Sequence, residues 1–537
     1  MKKLLSLALA LAMLLSMGSF AMAEADYNPD AIYMVSSTDD PTHMDPYLCS
    51  DGQSTIVTAL VYDALVMYNL DGSLSPNVAE SWDVSDDALT YTFHIRSGIK
   101  FHDGTDLDAY AVKWNWDRVV PAEGKTFADE PYSNMPYAEL FYSDVATYEA
   151  TDANTFVVTL KQPNNAFLTL IGSCSLAAGI VSPTAYEADP EGFDKHPVGS
   201  GPYKFVEWVS GQYVQLVRND DYHLGKPANG GVIIRIIPEA NTAVNELLTG
   251  GIHSLNYMTE DDYATIENSG TADMMSYQGN SLSIMSFADF DKNPLFSDIR
   301  LRQAVGYALD FDTIVAALYG DSMETATSAI PYLMAGGNYD GYTSIGYDPD
   351  KAKELMTEAG YPDGFEFTLM TYNVVKGYNP AAEKLAVTIQ SELAKVGIKV
   401  NLKIVSPWSE FLNVIYTDPI PEGDDHYDVV LHGWGADYND TSNILFLFSD
   451  DEIGGGANHS GYADPEFNEY FDNGIQSTSY EEATEWYIKA AQKLNDDVPV
   501  YIIAHGVDHI ATSKLILNAS ECFGGIGNHT WKVKLAK

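Results

Sequence analysis

The chain has 537 residues, of which 46% are hydrophobic, and its 76 acidic and 29 basic residues give a formal net charge of −47. This length exceeds what one hydrophobic core normally supports, so two to four domains are predicted. The strong negative charge argues against nucleic acid and anionic membrane surfaces as partners, because both are polyanions.

The N-terminal segment has the pattern of a secretory signal peptide. Lysines at positions 2 and 3 precede an apolar run to about Met17, and an Ala-Met-Ala tripeptide at 21–23 ends the segment. The run is too short to be a stable membrane span. We therefore predict that residues 1–23 are a signal peptide, and that the chain is exported to the periplasm or the extracellular cell surface. Three cysteines in an exported chain allow at most one disulfide.

The first half of the chain shows clear local patterns. Ala31–Ser37 is predicted to be a strand, and the apolar spacing over Thr55–Tyr68 predicts a helix. Apolar and polar residues alternate from Tyr91 to Ile95, which predicts a half-buried strand. The next helix is expected to be capped by Thr105 or Asp106.

Later elements end at glycines. A helix after Tyr347 is expected to stop at Gly360, and the amphipathic segment Ala381–Val396 is followed by Gly397. Ile398–Val405 alternates as a strand does. Strands that alternate with helices predict mixed α/β domains with sites at strand ends.

The segment 427–448 is the best candidate for a binding site. Tyr427–Leu431 is predicted to be a short apolar strand that breaks at Gly433-Trp434-Gly435 and then presents Asp437 and Asp440. Glycines let a ligand approach the backbone, and a tryptophan offers a flat apolar wall. A surface loop with solvated aspartates is the alternative.

Several blocks resemble extracellular solute-binding proteins that serve oligopeptide and dipeptide ABC importers. They include Ala79-Glu80-Ser81-Trp82, Gly98 to Gly104 with Lys100-Phe101-His102-Asp103, and Pro197 to Phe205. Leu295 to Asp310 and the Gly-Trp segment continue the similarity, which covers nearly all of residues 35–535. The resemblance implies an α/β, two-lobed periplasmic-binding-protein fold (type II, Venus-flytrap) with an additional domain and mixed sheets.

The same resemblance implies a domain division. The first lobe would be discontinuous, with residues 24–52, 188–285 and 500–537. The additional domain would span 53–187 and the second lobe 286–499. The crossings near Ser281–Asp289 and Asp496–Ala504 would be the hinge strands.

The resemblance also implies roles for individual residues. Asp437, three residues after Trp434, matches the aspartate that receives the ammonium group of a peptide in related proteins. Gly433 would offer main-chain hydrogen bonds, and Trp434 and Trp408 would wall side-chain pockets. Tyr438 belongs to the same candidate loop.

Recognition of the far end of the ligand is open. Leu431 stands where some oligopeptide binders have an arginine for the peptide carboxylate. Lys384, after Tyr378-Asn379-Pro380, is a candidate for that contact, with a solvated helix lysine as the alternative. Tyr137 and Tyr132 are weaker candidates for cleft contacts.

Catalytic and metal-binding motifs are not indicated. The sequence has no G-x-S-x-G, H-E-x-x-H or G-x-x-x-x-G-K motif. His505 and His509 are predicted to lie on a strand and to be structural or solvated. His102-Asp103, in a predicted turn, is also expected to be structural. The loop Asp424-Asp425-His426 is expected to be an ordinary charged loop and not a cation site. The glycines in residues 524–527 are too closely spaced to match the G-x-G-x-x-G motif of dinucleotide-binding proteins.

We therefore predict a monomeric, non-enzymatic substrate-binding component of an ABC importer, without a cofactor. It would capture a short peptide between its lobes by hinge closure and deliver it to the transmembrane subunits of an ABC permease. The main alternative is the same fold with another solute, such as a nickel complex, an oligosaccharide or an opine. A secreted metal-dependent hydrolase and a chaperone-like or adhesive surface protein are the remaining alternatives.

Overall fold

The computed structural model describes residues 27–290, 292–417, 426–454, 456–524 and 527–537. The predicted signal peptide, Asp424, Asp425, Gly525 and Ile526 lie outside the described residues. The strands, in chain order, are β1 (Ile32–Ser37), β2 (Val66–Tyr68), β3 (Leu74–Pro76), β4 (Ala79–Val84), β5 (Thr90–Ile95), β6 (Val145–Asp152), β7 (Thr155–Leu160), β8 (Tyr203–Val209), β9 (Tyr213–Arg218), β10 (Gly231–Ile236), β11 (Ser254–Leu255), β12 (Ala272–Phe287), β13 (Met323–Thr325), β14 (Glu366–Tyr372), β15 (Lys399–Val405), β16 (Val429–Gly435), β17 (Val500–Ser513), β18 (Phe523–Gly524) and β19 (Gly527–Asn528).

The α-helices lie mostly between strands, as expected of mixed α/β domains. They are α1 (Gly52–Val61), α2 (Ala109–Val119), α3 (Ala138–Tyr142), α4 (Phe167–Leu170), α5 (Pro183–Ala188), α6 (Ala240–Thr249), α7 (Glu260–Ser269), α8 (Ile299–Tyr307), α9 (Phe311–Tyr319), α10 (Pro349–Glu358), α11 (Ala382–Ala394), α12 (Trp408–Ile415), α13 (Ser442–Leu445), α14 (Pro465–Ile475) and α15 (Tyr480–Asp497). Within the described residues, none of the helices is long and apolar enough to cross a membrane.

A mixed sheet runs through most of the molecule. Its eleven strands, counted over the described residues, follow the order β15-β14-β16-β12-β17-β11-β1-β10-β9-β8, and β13 pairs with β17 beside this path. Neighbours β14/β15 and β1/β10 are parallel, whereas β12/β17 and β12/β16 are antiparallel. The two long strands β12 and β17 join one half of the sheet to the other.

The predicted hinge crossings fall on or beside these long strands. The pairing of β12 with β17 extends from Ala272↔Ser513 to Ser286↔Val500, and its register shifts between Gln278 and Leu282 and again after Ser283. Such bulges bend a strand and increase its twist. The boundaries of the predicted lobes stay a prediction.

The predicted additional domain, 53–187, contains a separate antiparallel sheet of order β4-β5-β7-β6 among the described residues. In β5 the residues Tyr91, Phe93 and Ile95 are buried and alternate with half-buried neighbours, which confirms the predicted strand. The helix cap prediction was wrong. Asp108 accepts hydrogen bonds from the first-turn N–H groups of α2, because Thr105 is bonded to Asp103 and Asp106 pairs with Lys100.

The helix predicted over Thr55–Tyr68 was also wrong in its second half. Helix α1 ends at Val61, Tyr62 is extended, and β2 begins at Val66. Residues Ala64 to Val66 are buried. A fully buried apolar run is compatible with a helix or a strand, so the apolar spacing did not reveal the change.

Strand β16 continues through the glycines at which a break was predicted. It pairs with β12 along its whole length, from Phe287↔Val429 to Ser281↔Gly435. A Cβ added at Gly433 would lie 2.3 Å from the ring of Tyr378 and 2.5 Å from the main-chain oxygen of Leu282. The glycine therefore allows close packing inside the strand, and the chain leaves the sheet only at Ala436.

Packing provides the stability of the described chain. One large apolar cluster covers residues of the predicted first lobe and of 53–187, and a second one lies within 282–504. Cys49, Cys174 and Cys522 are all free thiols in the structure.

Candidate functional site

A cavity of about 390 Å³ lies where the three predicted segments meet. Its wall takes residues from β1, from the segments after α1 and α4, from β17, from the C-terminal segment and from the loop after β16. Examples from these parts, in chain order, are Val35, Asp63, Cys174, Asp437, Ile510 and Trp531.

Asp437 is held in place by the loop that follows β16. Asn280 on β12 forms two hydrogen bonds with Ala436. Its main-chain oxygen accepts from the N–H of Ala436, and its side-chain amide donates to the main-chain oxygen of Ala436. The N–H of Asp437 donates to Oδ1 of Asn443 over 2.8 Å. These bonds fix the direction in which the chain leaves the sheet and bring the carboxylate to the cavity wall.

The carboxylate of Asp437 has neutral neighbours. Tyr137 donates its hydroxyl to Oδ1 over 3.1 Å. Burial raises the pKa of Asp437, while the hydrogen bonds with Tyr137 and Asn443 act in the opposite direction. Among the described residues, no lysine or arginine forms an ion pair with this carboxylate.

Tyr438 and Asp440 support the loop. Tyr438 is buried in the first apolar cluster, lines the cavity, and shares a 3.2 Å hydrogen bond with the hydroxyl of Ser442. Asp440 is buried, accepts from the N–H of Ser442 and from Tyr487, and has a pKa raised by burial. Asp440 is therefore a supporting residue and is not solvated.

Trp434 and Gly433 lie on β16 before the loop. The Trp434 indole packs edge-on against Phe446 and donates to Oδ1 of Asn443 over 3.4 Å. Asn443 thus holds both Trp434 and Asp437. Trp434 and Gly433 do not belong to the cavity lining.

One edge of β16 has no strand partner beyond its first residues in the described part of the chain. β14 pairs with β16 only at Val429 and Val430, so in the described chain no strand pairs with this side from Leu431 onward. Leu431 is fully buried in the second apolar cluster. The position expected for a carboxylate-binding arginine in some relatives is therefore a core position in this protein.

Trp408 and Lys384 lie away from the cavity. Trp408 stacks on Phe411, meets Tyr372 edge-on and has the Lys376 ammonium 3.9 Å above its ring. Lys384 is exposed and lines a surface groove beside α11. The structure does not bring either residue together with Asp437.

The two weaker tyrosine candidates differ. Tyr137 contacts Asp437 directly. Tyr132 is buried, and its hydroxyl accepts from the N–H of Ala122 without lining the cavity.

Asp63, Asn280 and Asn443 belong to the site but were not predicted from the sequence. Asp63 lines the cavity and is buried. The only sequence signal for it is a carboxylate within an apolar run. Asn443 and Asn280 act through hydrogen bonds to the loop, which no sequence spacing reveals.

The histidines singled out in the sequence have structural partners. His505 lies in β17 beside the main-chain oxygen of Ser328, and burial lowers its pKa to about 4. His509 contacts Ser276 and the Asp321 oxygen, and His102 contacts the Gly201 oxygen. Over the described ranges, no group of three His, Cys, Asp or Glu side chains is arranged to hold a metal ion.

A sheet that joins two lobes through two long strands, with a cavity where the lobes and an added domain meet, defines a two-lobed solute-binding protein. Residues 73–456 match the family described as bacterial extracellular solute-binding proteins, family 5 Middle. The chain belongs to this family, which confirms the resemblance seen in its sequence motifs.

Individual relatives cover most of the chain. The heme-binding protein A of Haemophilus influenzae is 28% identical over 502 residues, with 91% of this chain and 90% of the relative covered. A dipeptide-binding protein of Escherichia coli is 28% identical, with 87% of each chain covered. The structure of DppA from Helicobacter pylori in complex with the peptide STSA has a TM-score of 0.73 and 26% identity, and covers 95% of this chain and 98% of that one. The two-lobed periplasmic-binding-protein fold is thereby confirmed.

Proposed function

We propose that the protein is a non-catalytic receptor that binds a short peptide with a free N-terminus and delivers it to an ABC permease after export. The observation that carries this proposal is the carboxylate of Asp437 at the cavity wall. It is partly buried and is hydrogen-bonded by neutral groups.

A desolvated carboxylate without a cation is unfavourable, because burial removes the water that stabilises its charge. An ammonium group from a ligand would restore that stabilisation. Breaking such a charge pair at an interface typically costs about 2–5 kcal/mol. Asp437 is therefore suited to select ligands with a free amine.

The lack of a strand partner on one edge of β16, within the described residues, supports a peptide ligand. Main-chain groups from Leu431 to Gly435 have a strand partner on the β12 side only, within the described residues. An extended peptide can add to such an edge through its own main chain, which makes binding tolerant of side-chain identity. Gly433 would then provide main-chain contacts, with Trp434 beside them.

The names of the relatives point to peptides and to haem. The dipeptide-binding protein and the complex with STSA support a peptide. Haem carries two propionates, which favour cationic partners. The described lining of the cavity contains Asp63 and Asp437 but no lysine or arginine. This charge distribution favours an ammonium ligand over a dicarboxylate.

Titration calorimetry of the purified protein with Ala-Ala-Ala and with N-acetyl-Ala-Ala-Ala tests the proposal. We expect saturable binding of the free peptide, a loss of at least about 30-fold in affinity on acetylation, and a similar loss in Asp437→Ala. The Tyr132→Phe variant is the control, because Tyr132 lies outside the cavity lining. Equal affinities of wild type and Asp437→Ala for Ala-Ala-Ala would disprove the role of Asp437.

A further inference from the structure

Asp63 places a second carboxylate in the cavity wall. It follows α1 by two residues and is 3% exposed. It comes from the segment 53–187, whereas Asp437 comes from the segment 286–499. The two carboxylates are thus contributed by different parts of the chain to one cavity.

The carboxylate of Asp63 accepts hydrogen bonds from neutral donors. The hydroxyl of Ser200 donates to Oδ2 over 2.8 Å, and Oδ1 accepts from the Tyr222 hydroxyl at 3.0 Å and from the Asn77 amide at 3.3 Å. Nδ1 of His223 lies 3.8 Å from Oδ2, beyond hydrogen-bond distance. Burial lowers the pKa of His223, although the nearby Asp63 acts in the opposite direction, and the net shift favours the neutral imidazole.

Among the described residues, neither Arg96 nor Lys532 forms an ion pair with Asp63 or Asp437. Arg96 directs its Nε–H to the main-chain oxygen of Asn77, and Lys532 contacts the ring of His529. The described lining includes neither cation. Burial also lowers the pKa of His529.

The wall also retains unused polar capacity. Ser36, which is 5% exposed, lines the cavity, and its Oγ atom is buried without a hydrogen-bond partner among the described residues. Oδ1 of Asn439 is likewise buried at the cavity and has no partner in the described structure. Both oxygens can accept from N–H groups of a ligand.

We propose that the ligand carries two positive charges, its N-terminal ammonium at Asp437 and a basic side chain, an ammonium or guanidinium, at Asp63. The inference rests on the proposed function and narrows it to basic peptides. Each charge meets a carboxylate that has neutral hydrogen-bond donors, and Ser36 and Asn439 accept further N–H groups.

Calorimetry with four peptides of equal length tests this inference on the wild-type protein. The peptides are Ala-Lys-Ala, Lys-Ala-Ala and their neutral analogues with norleucine in place of lysine. At one of the two positions we expect the lysine peptide to bind at least about tenfold more tightly than its norleucine analogue, because norleucine keeps the apolar chain and lacks the charge. Equal affinities at both positions would overturn the inference and leave the proposed function intact. Absence of binding by all of these peptides and by Ala-Ala-Ala would overturn the proposed function itself.

The Asp63→Asn variant assigns the preference to its carboxylate. It removes the charge at nearly constant volume, and we expect the lysine preference to fall to within about twofold while the norleucine peptide keeps its wild-type affinity. A lysine preference that persists in this variant would place the second charge elsewhere and overturn the role of Asp63. Thermal unfolding verifies that the Asp63→Asn variant is folded. If the variant does not fold, the comparison of lysine and norleucine peptides on the wild-type protein still tests the inference.

Discussion

The hydroxyl of Tyr137 donates a 3.1 Å hydrogen bond to Oδ1 of Asp437. Tyr137 directly precedes α3 in the segment 53–187, and Asp437 follows β16, so this bond connects two parts of the chain that are 300 positions apart. Burial raises the pKa of both groups, and the nearby Asp437 raises that of Tyr137 further. The tyrosine therefore stays a neutral donor, and the site is left for a cation from the ligand.

The first prediction concerns the pH dependence of binding. Asp437 must be ionised to hold an ammonium group, and burial raises its pKa. Affinity for Ala-Ala-Ala should therefore fall on acidification at a higher pH than an ordinary aspartate would cause. The Tyr137 bond lowers this pKa, so Tyr137→Phe should move the decline to still higher pH. Calorimetry over a pH series measures both profiles, and superimposable profiles would contradict the prediction.

The second prediction is that Asp437→Asn stabilises the ligand-free protein at neutral pH. An acid whose pKa is raised in the folded state contributes stability below its unfolded pKa and loses that contribution as the pH rises through the folded pKa. At pH 7 the ionised carboxylate therefore lowers the free energy of unfolding, and a neutral asparagine removes this effect. Denaturant unfolding should show a gain at pH 7 that shrinks at acidic pH. A loss of stability at pH 7 would refute the prediction.

The third prediction concerns the ion pair between Arg118 and Asp45. Their side chains are 11% and 3% exposed, and the guanidinium lies 3.9 Å over the ring of Tyr186. Breaking a buried pair by removing one partner typically costs about 3–5 kcal/mol, because the other charge stays buried. Asp45→Asn should destabilise the protein by about this amount in denaturant unfolding.

The exposed pair of Lys351 and Glu354 on α10 provides the matched control for the third prediction. Exposed pairs are worth about 0–1 kcal/mol, so Glu354→Gln should unfold almost as the wild type does. Equal effects of the two variants would show that the pair with Arg118 is not a buried one in solution.

Local sequence patterns predicted single helices and strands correctly where one strong signal, such as regular alternation or a helix-ending glycine, was present. The alternation in β5 and the helix stop at Gly360, which has a φ of +93°, are examples. The resemblance of whole sequence blocks predicted the family and its fold, because those blocks include turns and caps in a fixed order. Tyr62–Tyr68 was mispredicted because buried helices and strands share the same apolar composition.

The site was predicted only in part. Asp437 and Tyr438 line the cavity, whereas Trp408 and Lys384 lie on other surfaces. Asp63 escaped prediction because its partners Ser200 and Tyr222 lie 137 and 159 positions away in sequence. Contacts over such distances follow from tertiary packing and leave no local pattern.

The fourth prediction compares the two glycines that flank Trp434. A Cβ at Gly433 would lie 2.5 Å from the main-chain oxygen of Leu282 and 2.3 Å from the Tyr378 ring, whereas a Cβ at Gly435 would meet only the Ser281 side chain, at 4.0 Å. Overpacking of this kind costs about 1–3 kcal/mol, so Gly433→Ala should lower the free energy of unfolding by that amount and weaken binding of Ala-Ala-Ala.

Gly435→Ala should match the wild type within about 1 kcal/mol, because alanine is better tolerated than glycine in an element interior. Denaturant unfolding and calorimetry of both variants provide the comparison. If Gly433→Ala binds the peptide as the wild type does, close packing at Gly433 is not needed for the site.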